Sequence, residues 1–141
     1  MALVPDTSLD IGGAVVEVQT AEKWPSKTYV MDIDGERITG TTTDELTAVK
    51  QAIYKILNTE RYRYPIYSWN YGVELADLFG KPIAYVLPEI PRRIKEALVS
   101  DDRIIDATAF ELSHDKRGNV LARFKVITIF GNFDAGKEVR I

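Results

Sequence analysis

The order of hydrophobic patterns along the chain predicts an α+β fold: a small mixed or antiparallel β-sheet packed against two main helices, with an extended N-terminal arm. Three observations carry this expectation. Short alternating stretches precede residue 40, helical spacing dominates the middle, and alternation returns after residue 110. A chain of 141 residues, 45% apolar and 28% charged, can bury one sizeable core. The expected organisation is an arm over residues 1–26 and a single α+β domain over 27–141.

The arm, "MALVPDTSLDIGGAVVEVQTAEKWPS", is punctuated by Pro5, Gly12, Gly13 and Pro25, and its one strand-like run is Ala14–Val18. It reads either as an extended segment lying on its own body or a neighbour, or as a loose terminus. From Lys27 onward Tyr29, Met31 and Ile33 alternate with more polar residues. An Asp34–Gly35 turn and a second strand through Ile38 complete a hairpin. Thr42, followed three residues later by Glu45, has the form of a capping box. Leu46, Val49, Ile53, Ile56 and Leu57 then recur at helical spacing, which predicts an amphipathic helix over 43–58.

The next segment, "ERYRYPIYSWNYG" at 60–72, holds four tyrosines and a tryptophan. Pro65 interrupts any helix there, so extended chain crossing the edge of the core is expected. Two readings of its rings stand: they pack helix 43–58 against the sheet, or they lie half-buried at a protein interface. A short helix follows at Glu74–Phe79, stopped by Gly80 and Pro82. A longer one reaches about residue 99, kinked or restarted near Pro88 because Pro88 and Pro91 lie within it. Its inward face is Ile90, Ile94, Ala97 and Leu98, with Arg92, Arg93, Lys95 and Glu96 facing water. In the last third Phe110 and Leu112 alternate with Glu111, and the chain turns at Gly118. Val120, Ala122, Phe124 and Val126 then form one apolar face. "GNFDAG" reads as a loop and "KEVRI" as a terminal strand.

Chemistry is scarce. A net charge of −3 and a pI near 5.2 oppose nucleic-acid binding, which depends on excess lysine and arginine. The apolar stretches are too short to cross a bilayer, and the N-terminus lacks the basic-then-apolar leader pattern, so an intracellular protein without a membrane partner is expected. Absent cysteine excludes disulfides, thiolate metal sites and thiol nucleophiles. The single histidine, His114, flanks a turn and cannot build a multi-histidine metal site. Ser68, Ser100 and Ser113 have no activating base pattern around them, and no pair of carboxylates is marked out for glycoside chemistry. "FGNFDAGK" has the wrong spacing for a phosphate loop. No catalytic residue, metal, cofactor or small-molecule substrate is expected.

The string "YKILNTERYRYPIYSWNYGVELADLFGKP" resembles the baseplate wedge or sheath-initiator family of contractile phage tails, most closely the version in PBSX-like defective prophages and tailocins. Leu57, Thr59, Tyr71, Gly72, Leu75, Leu78 and Phe79 occupy the places of that family's pattern, a helix ending in "L-x-T" before "x-x-G-x-x-L-x-x-L-F". The resemblance covers roughly residues 27–130. The family's acidic-Pro-Arg-Ile motif falls at Asp101–Asp102–Arg103–Ile104, with aspartates at the usual glutamate and proline places. "EIPRRI" at Glu89–Ile94 spells something similar but lies inside the helix, so Arg103 is preferred and Arg92 held in reserve.

The resemblance implies a non-enzymatic part of a rotationally symmetric baseplate, assembled in the bacterial cytoplasm into a virion or tail-like particle. Its partners would be other wedge proteins, the sheath protein, and tail tube or hub proteins. It would dock on the wedge and offer a β-sheet edge for strand exchange with the first sheath ring. The implied partner-binding residues are Arg103, Asp101, Asp102, Tyr67, Trp69, Tyr71, Val139 and Ile141. Arg103 either forks onto a partner or pairs locally with the aspartates, and the C-terminal strand is either exchanged or internal. The alternatives are a peptidoglycan-degrading lysozyme-like enzyme and a soluble protein-binding adaptor of the same fold.

Overall fold

The computed structural model describes residues 8–11, 14–17 and 25–141. Two short strands, β1 (Ser8–Ile11) and β2 (Ala14–Glu17), pair antiparallel, where the sequence reading placed one strand. The lie of the rest of the expected arm falls outside the described residues. The predicted hairpin forms as β3 (Thr28–Asp32) and β4 (Arg37–Thr43), with Met31 opposite Ile38 and Asp32 opposite Arg37.

Helix α1 (Glu45–Leu57) starts later than expected, and the capping box does not form. Thr42 remains in β4, paired with Tyr29, so the cap passes to Asp44, whose carboxylate accepts the Glu45 N–H at 2.7 Å. A 3-10 turn at Ala76–Leu78 stands where a short helix was expected. Helix α2 (Ile83–Val99) runs unbroken through Pro88 and Pro91. Without their N–H groups the Ala84 and Leu87 carbonyls lose helical donors, and Ala84 faces solvent, where water can replace one.

The remaining strands, β5 (Ile104–His114), β6 (Asn119–Thr128) and β7 (Gly131–Arg140), form an antiparallel sheet in the order β5-β6-β7. The fold is α+β, as predicted. "GNFDAG" is not a loop: β7 pairs with β6 from Gly131 opposite Thr128 to Arg140 opposite Asn119. The ladder overrides the poor strand propensity of Gly131, Asn132 and Gly136. The apolar face of β6 (Val120, Ala122, Phe124, Val126) is buried in one cluster with Val49, Ile53, Ile56 and Leu57 of α1 and Ile90, Ile94, Ala97 and Leu98 of α2. Each of the larger side chains, from valine to phenylalanine, contributes about 1.5–3 kcal/mol. Phe110 stacks on Phe124 with centroids 5.1 Å apart, holding β5 to the same core.

Candidate functional site

The aromatic segment is not extended chain. It is a closed loop of turns whose neck is fastened at several points. Val73 donates its N–H to the Thr59 carbonyl at 3.0 Å, and Arg61 donates its own to the Val73 carbonyl at 3.2 Å. The Glu60 carboxylate accepts the N–H groups of Leu75 and Ala76, ahead of the 3-10 turn. Gly72 adopts φ 97°, and a Cβ there would meet the Thr59 carbonyl oxygen at 2.6 Å, so only glycine closes the neck.

Two buried arginines tie this neck to the neighbouring segments. Arg61 Nη1 donates to Glu74 at 3.2 Å and to Glu96 of α2 at 3.0 Å. Arg93, expected to face water, is only 9% exposed. It donates to the Glu74 carbonyl at 2.8 Å, to the Asp77 carboxylate, and from Nε to Glu89 at 3.1 Å. A guanidinium so enclosed is tolerable because its donors meet acceptors. Hydrogen bonds from Arg92 and Arg93 hold the Glu89 carboxyl at about 2, well below its ordinary value.

The rings borne by this loop mostly stack on one another rather than on α1. Trp69 is 80% exposed and lies 5.8 Å from Tyr62, while Tyr64 meets Tyr67 edge-on at 6.4 Å. Tyr67 stacks on Tyr71 at 4.4 Å, and Tyr71 packs against the core. Tyr71 also lines a cleft of about 460 Å³ with Ile56, Asp101, Asp102 and Arg103. Burial raises the Tyr71 hydroxyl above its usual pKa, with Tyr67 and Asp101 adding to the effect.

The fold thus brings together five of the predicted residues, Tyr67, Tyr71, Asp101, Asp102 and Arg103, with Trp69 on the same loop. Arg103 forks inward, Nε and Nη2 donating to the Asp101 carboxylate at 2.9 and 2.7 Å. The local-pair reading therefore describes these two donors, and among the described residues Nη1 has no acceptor. The pair, with the Arg103 backbone N–H, holds the Asp101 carboxyl below its usual range against the upward pull of burial. Arg92 sits on the α2 surface bonded to Glu89 and Glu96.

Val139 and Ile141 lie apart from this cluster, at the end of β7. Val139 is 4% exposed, its side chain in the core, and Ile141 packs beside Gly118. The strand is paired internally, and what it leaves open is its outer margin. Along β6, the Ile129 N–H reaches the Arg103 carbonyl and the Asn119 carbonyl reaches the Asp115 N–H, so odd-numbered backbone turns toward β5. Even-numbered β6 residues therefore bond β7 through residues 131, 133, 135, 137 and 139. The N–H and C=O groups of Asn132, Asp134, Gly136, Glu138 and Arg140 point outward.

The opposite margin of the sheet differs. β5 is broken by register shifts between Ile104 and Asp106 and between Thr108 and Glu111, with Ala109 at φ 54°. Such bulges blunt an edge against added strands. β7 has an unshifted ten-residue register, and a groove of about 540 Å³ separates it from Lys50, Ile53, Tyr54 and Leu57 of α1. Lys137 spans this groove to Asn58 at 2.9 Å, and Lys50 lies 5.2 Å from the Phe133 ring centroid. Sequence reasoning missed the first half of β7, this groove, and the buried roles of Arg61 and Arg93. The carboxylates spaced around both arginines were the available signal.

Residues 24–131 match the model of the contractile injection system sheath initiator family. The phage-like element PBSX protein XkdS of Bacillus subtilis (strain 168) is 42% identical over 122 residues, covering 84% of this chain and 82% of that protein. Among solved structures, a Geobacter sulfurreducens protein described as a tail lysozyme superposes with a TM-score of 0.60 at 18% identity, covering 73% of this chain and 96% of the other.

Proposed function

The chain belongs to the contractile injection system sheath initiator family, and from that premise we propose that it starts the sheath by offering the outer margin of β7 to a strand of a sheath subunit. It is a contractile-tail component. The observation that carries the reading is the contrast between the two margins of one sheet: β5 is bulged, while β7 keeps an unshifted register, has no outward strand partner among the described residues and is set beside a groove. An incoming strand gains backbone hydrogen bonds along Asn132–Arg140, and its alternate side chains enter the groove.

The aromatic loop docks on wedge proteins. Its rings are large, low in conformational entropy and held on a rigid neck, which suits an interface anchor. Arg103 assists through Nη1, and its fork on Asp101 fixes the aim of that guanidinium nitrogen. The domain spans 27–141, is assembled in the bacterial cytoplasm, and repeats around the tail axis. The protein is not an enzyme: Glu74, Asp77, Glu89 and Glu96 are bonded to arginines, and Asp101, at the cleft beside Tyr71, is held in the Arg103 fork. Likeness to the tail lysozyme at 18% identity concerns the fold alone.

Electron microscopy of particles carrying both Asp134→Pro and Glu138→Pro tests this. Both prolines delete outward N–H groups and spare those bonded to β6, so folded protein and unsheathed tails are expected. Fully sheathed tails would sink the strand-addition reading. Clearing of peptidoglycan by the purified protein would sink the non-enzymatic one.

A further inference from the structure

The β3–β4 hairpin is a separate sheet and reaches α1 through one residue in particular. Gln51 accepts the Met31 N–H and donates to the Tyr29 carbonyl, both at 2.8 Å, so its amide stands in for a neighbouring strand. The hairpin is thereby held over the outer side of α1. There Met31, Ile38 and Tyr54 enclose a mainly apolar hollow of about 270 Å³. Ile38 is 64% exposed, and Ile33 and Tyr54 are also open to solvent. Asp32 on the rim is bonded to Arg37 at 3.2 Å, while Asp34 and Glu36 of the turn have no ion pair among the described residues. Tyr54 also walls the groove beside β7, so the two hollows meet at one ring.

We propose that this hollow is a second anchoring pocket for the segment that adds to β7, taking a bulky aliphatic or aromatic side chain next to a lysine or arginine. The inference rests on the strand-addition reading and specifies more of its partner. Continuity through Tyr54 selects the same segment as occupant, since chain leaving the groove crosses that ring onto the hairpin. Because both hollows are walled by the Tyr54 ring, the anchor lies near the paired stretch along the same segment. The acidic turn selects a basic neighbour, because an acid there would meet Asp34 and Glu36 unpaired. Burial of one large apolar side chain makes the hollow worth about tenfold in affinity.

The test uses assembled particles with the photo-crosslinker p-benzoylphenylalanine in place of Ile38 or, separately, of Asp134, and peptide sequencing of the adducts. Both positions should mark one polypeptide, at sites near each other in its sequence, with lysine or arginine beside the Ile38 adduct. The marked peptide, synthesised, should then bind the purified Ile38→Asp protein about tenfold more weakly than the parent and bind Lys116→Ala, a change in the exposed β5–β6 turn, unchanged. An adduct at Asp134 with none at Ile38, an Ile38 adduct on a different protein or in an acidic segment, or equal peptide affinity for Ile38→Asp would each overturn the pocket while leaving strand addition intact. Adducts at neither position would overturn both.

Discussion

The loop at 60–73 and strand β7 are both exposed, and they offer a neighbour opposite things. The loop turns side chains outward while its neck is bonded down by Arg61, Arg93, Glu60 and Gly72. β7 turns backbone outward, while its odd-numbered side chains face the core or the groove and Val139 is buried. Side-chain recognition requires a rigid platform, since each immobilised ring otherwise adds an ordering cost on binding. Backbone recognition requires an unbroken register, since every bulge removes hydrogen bonds. A docking contact with one particular partner suits the first device, and growth of a repeating lattice suits the second.

Five substitutions break or sharpen this contrast. Gly72→Val should have the largest effect, about 3 kcal/mol or more of lost stability in chemical denaturation, because it combines a strained φ with a clash against backbone. A cost below about 1 kcal/mol would mean that the neck is not rigid. Next comes a parity test along β7. Ala135→Pro removes an N–H bonded to β6 and should cost about 2 kcal/mol, whereas Asp134→Pro should stay within about 1 kcal/mol of the parent. Equal costs at the two positions would overturn the assignment of inward and outward residues.

Arg103→Ala should leave the domain folded, lowering stability by about 1–2 kcal/mol at neutral pH and impairing baseplate assembly. The pH dependence follows from Asp101, whose folded pKa is depressed. Its contribution is present above the unfolded carboxylate range, near 4, and is lost as pH falls through the lower folded value. The gap between parent and variant should therefore narrow in acid, and urea titrations between pH 7 and 3 would record it. The smallest stability change, within about 0.5 kcal/mol, is expected for Trp69→Ala, together with at least tenfold weaker capture by purified wedge protein.

Much of the fold was legible in the sequence because its signals were local and periodic. The buried stripe of α1, the inward face of α2 and the alternating face of β6 all follow from spacing alone. What stayed hidden depends on distant partners. Arg93 looks solvated in sequence, and only the fold brings Asp77 and the Glu74 carbonyl to it. Gly131–Gly136 looks like a loop until a ten-residue ladder on β6 recruits it. The rings at 62–71 left packing on α1 and a place at a protein interface both open, and most find one another above the closed neck. Of the candidate site, the cluster around Tyr71 and Arg103 was readable through motif order, and the outward parity of β7 was not.

The acids on β7 also bear on how the isolated molecule behaves toward copies of itself. Two such chains meeting antiparallel at full overlap, centred on Gly136, would set Asp134 of each against Glu138 of the other. Like charges facing across a ladder repel. Stockpiled subunits are thus discouraged from zipping together in their longest alignment before a tail is ready to receive them.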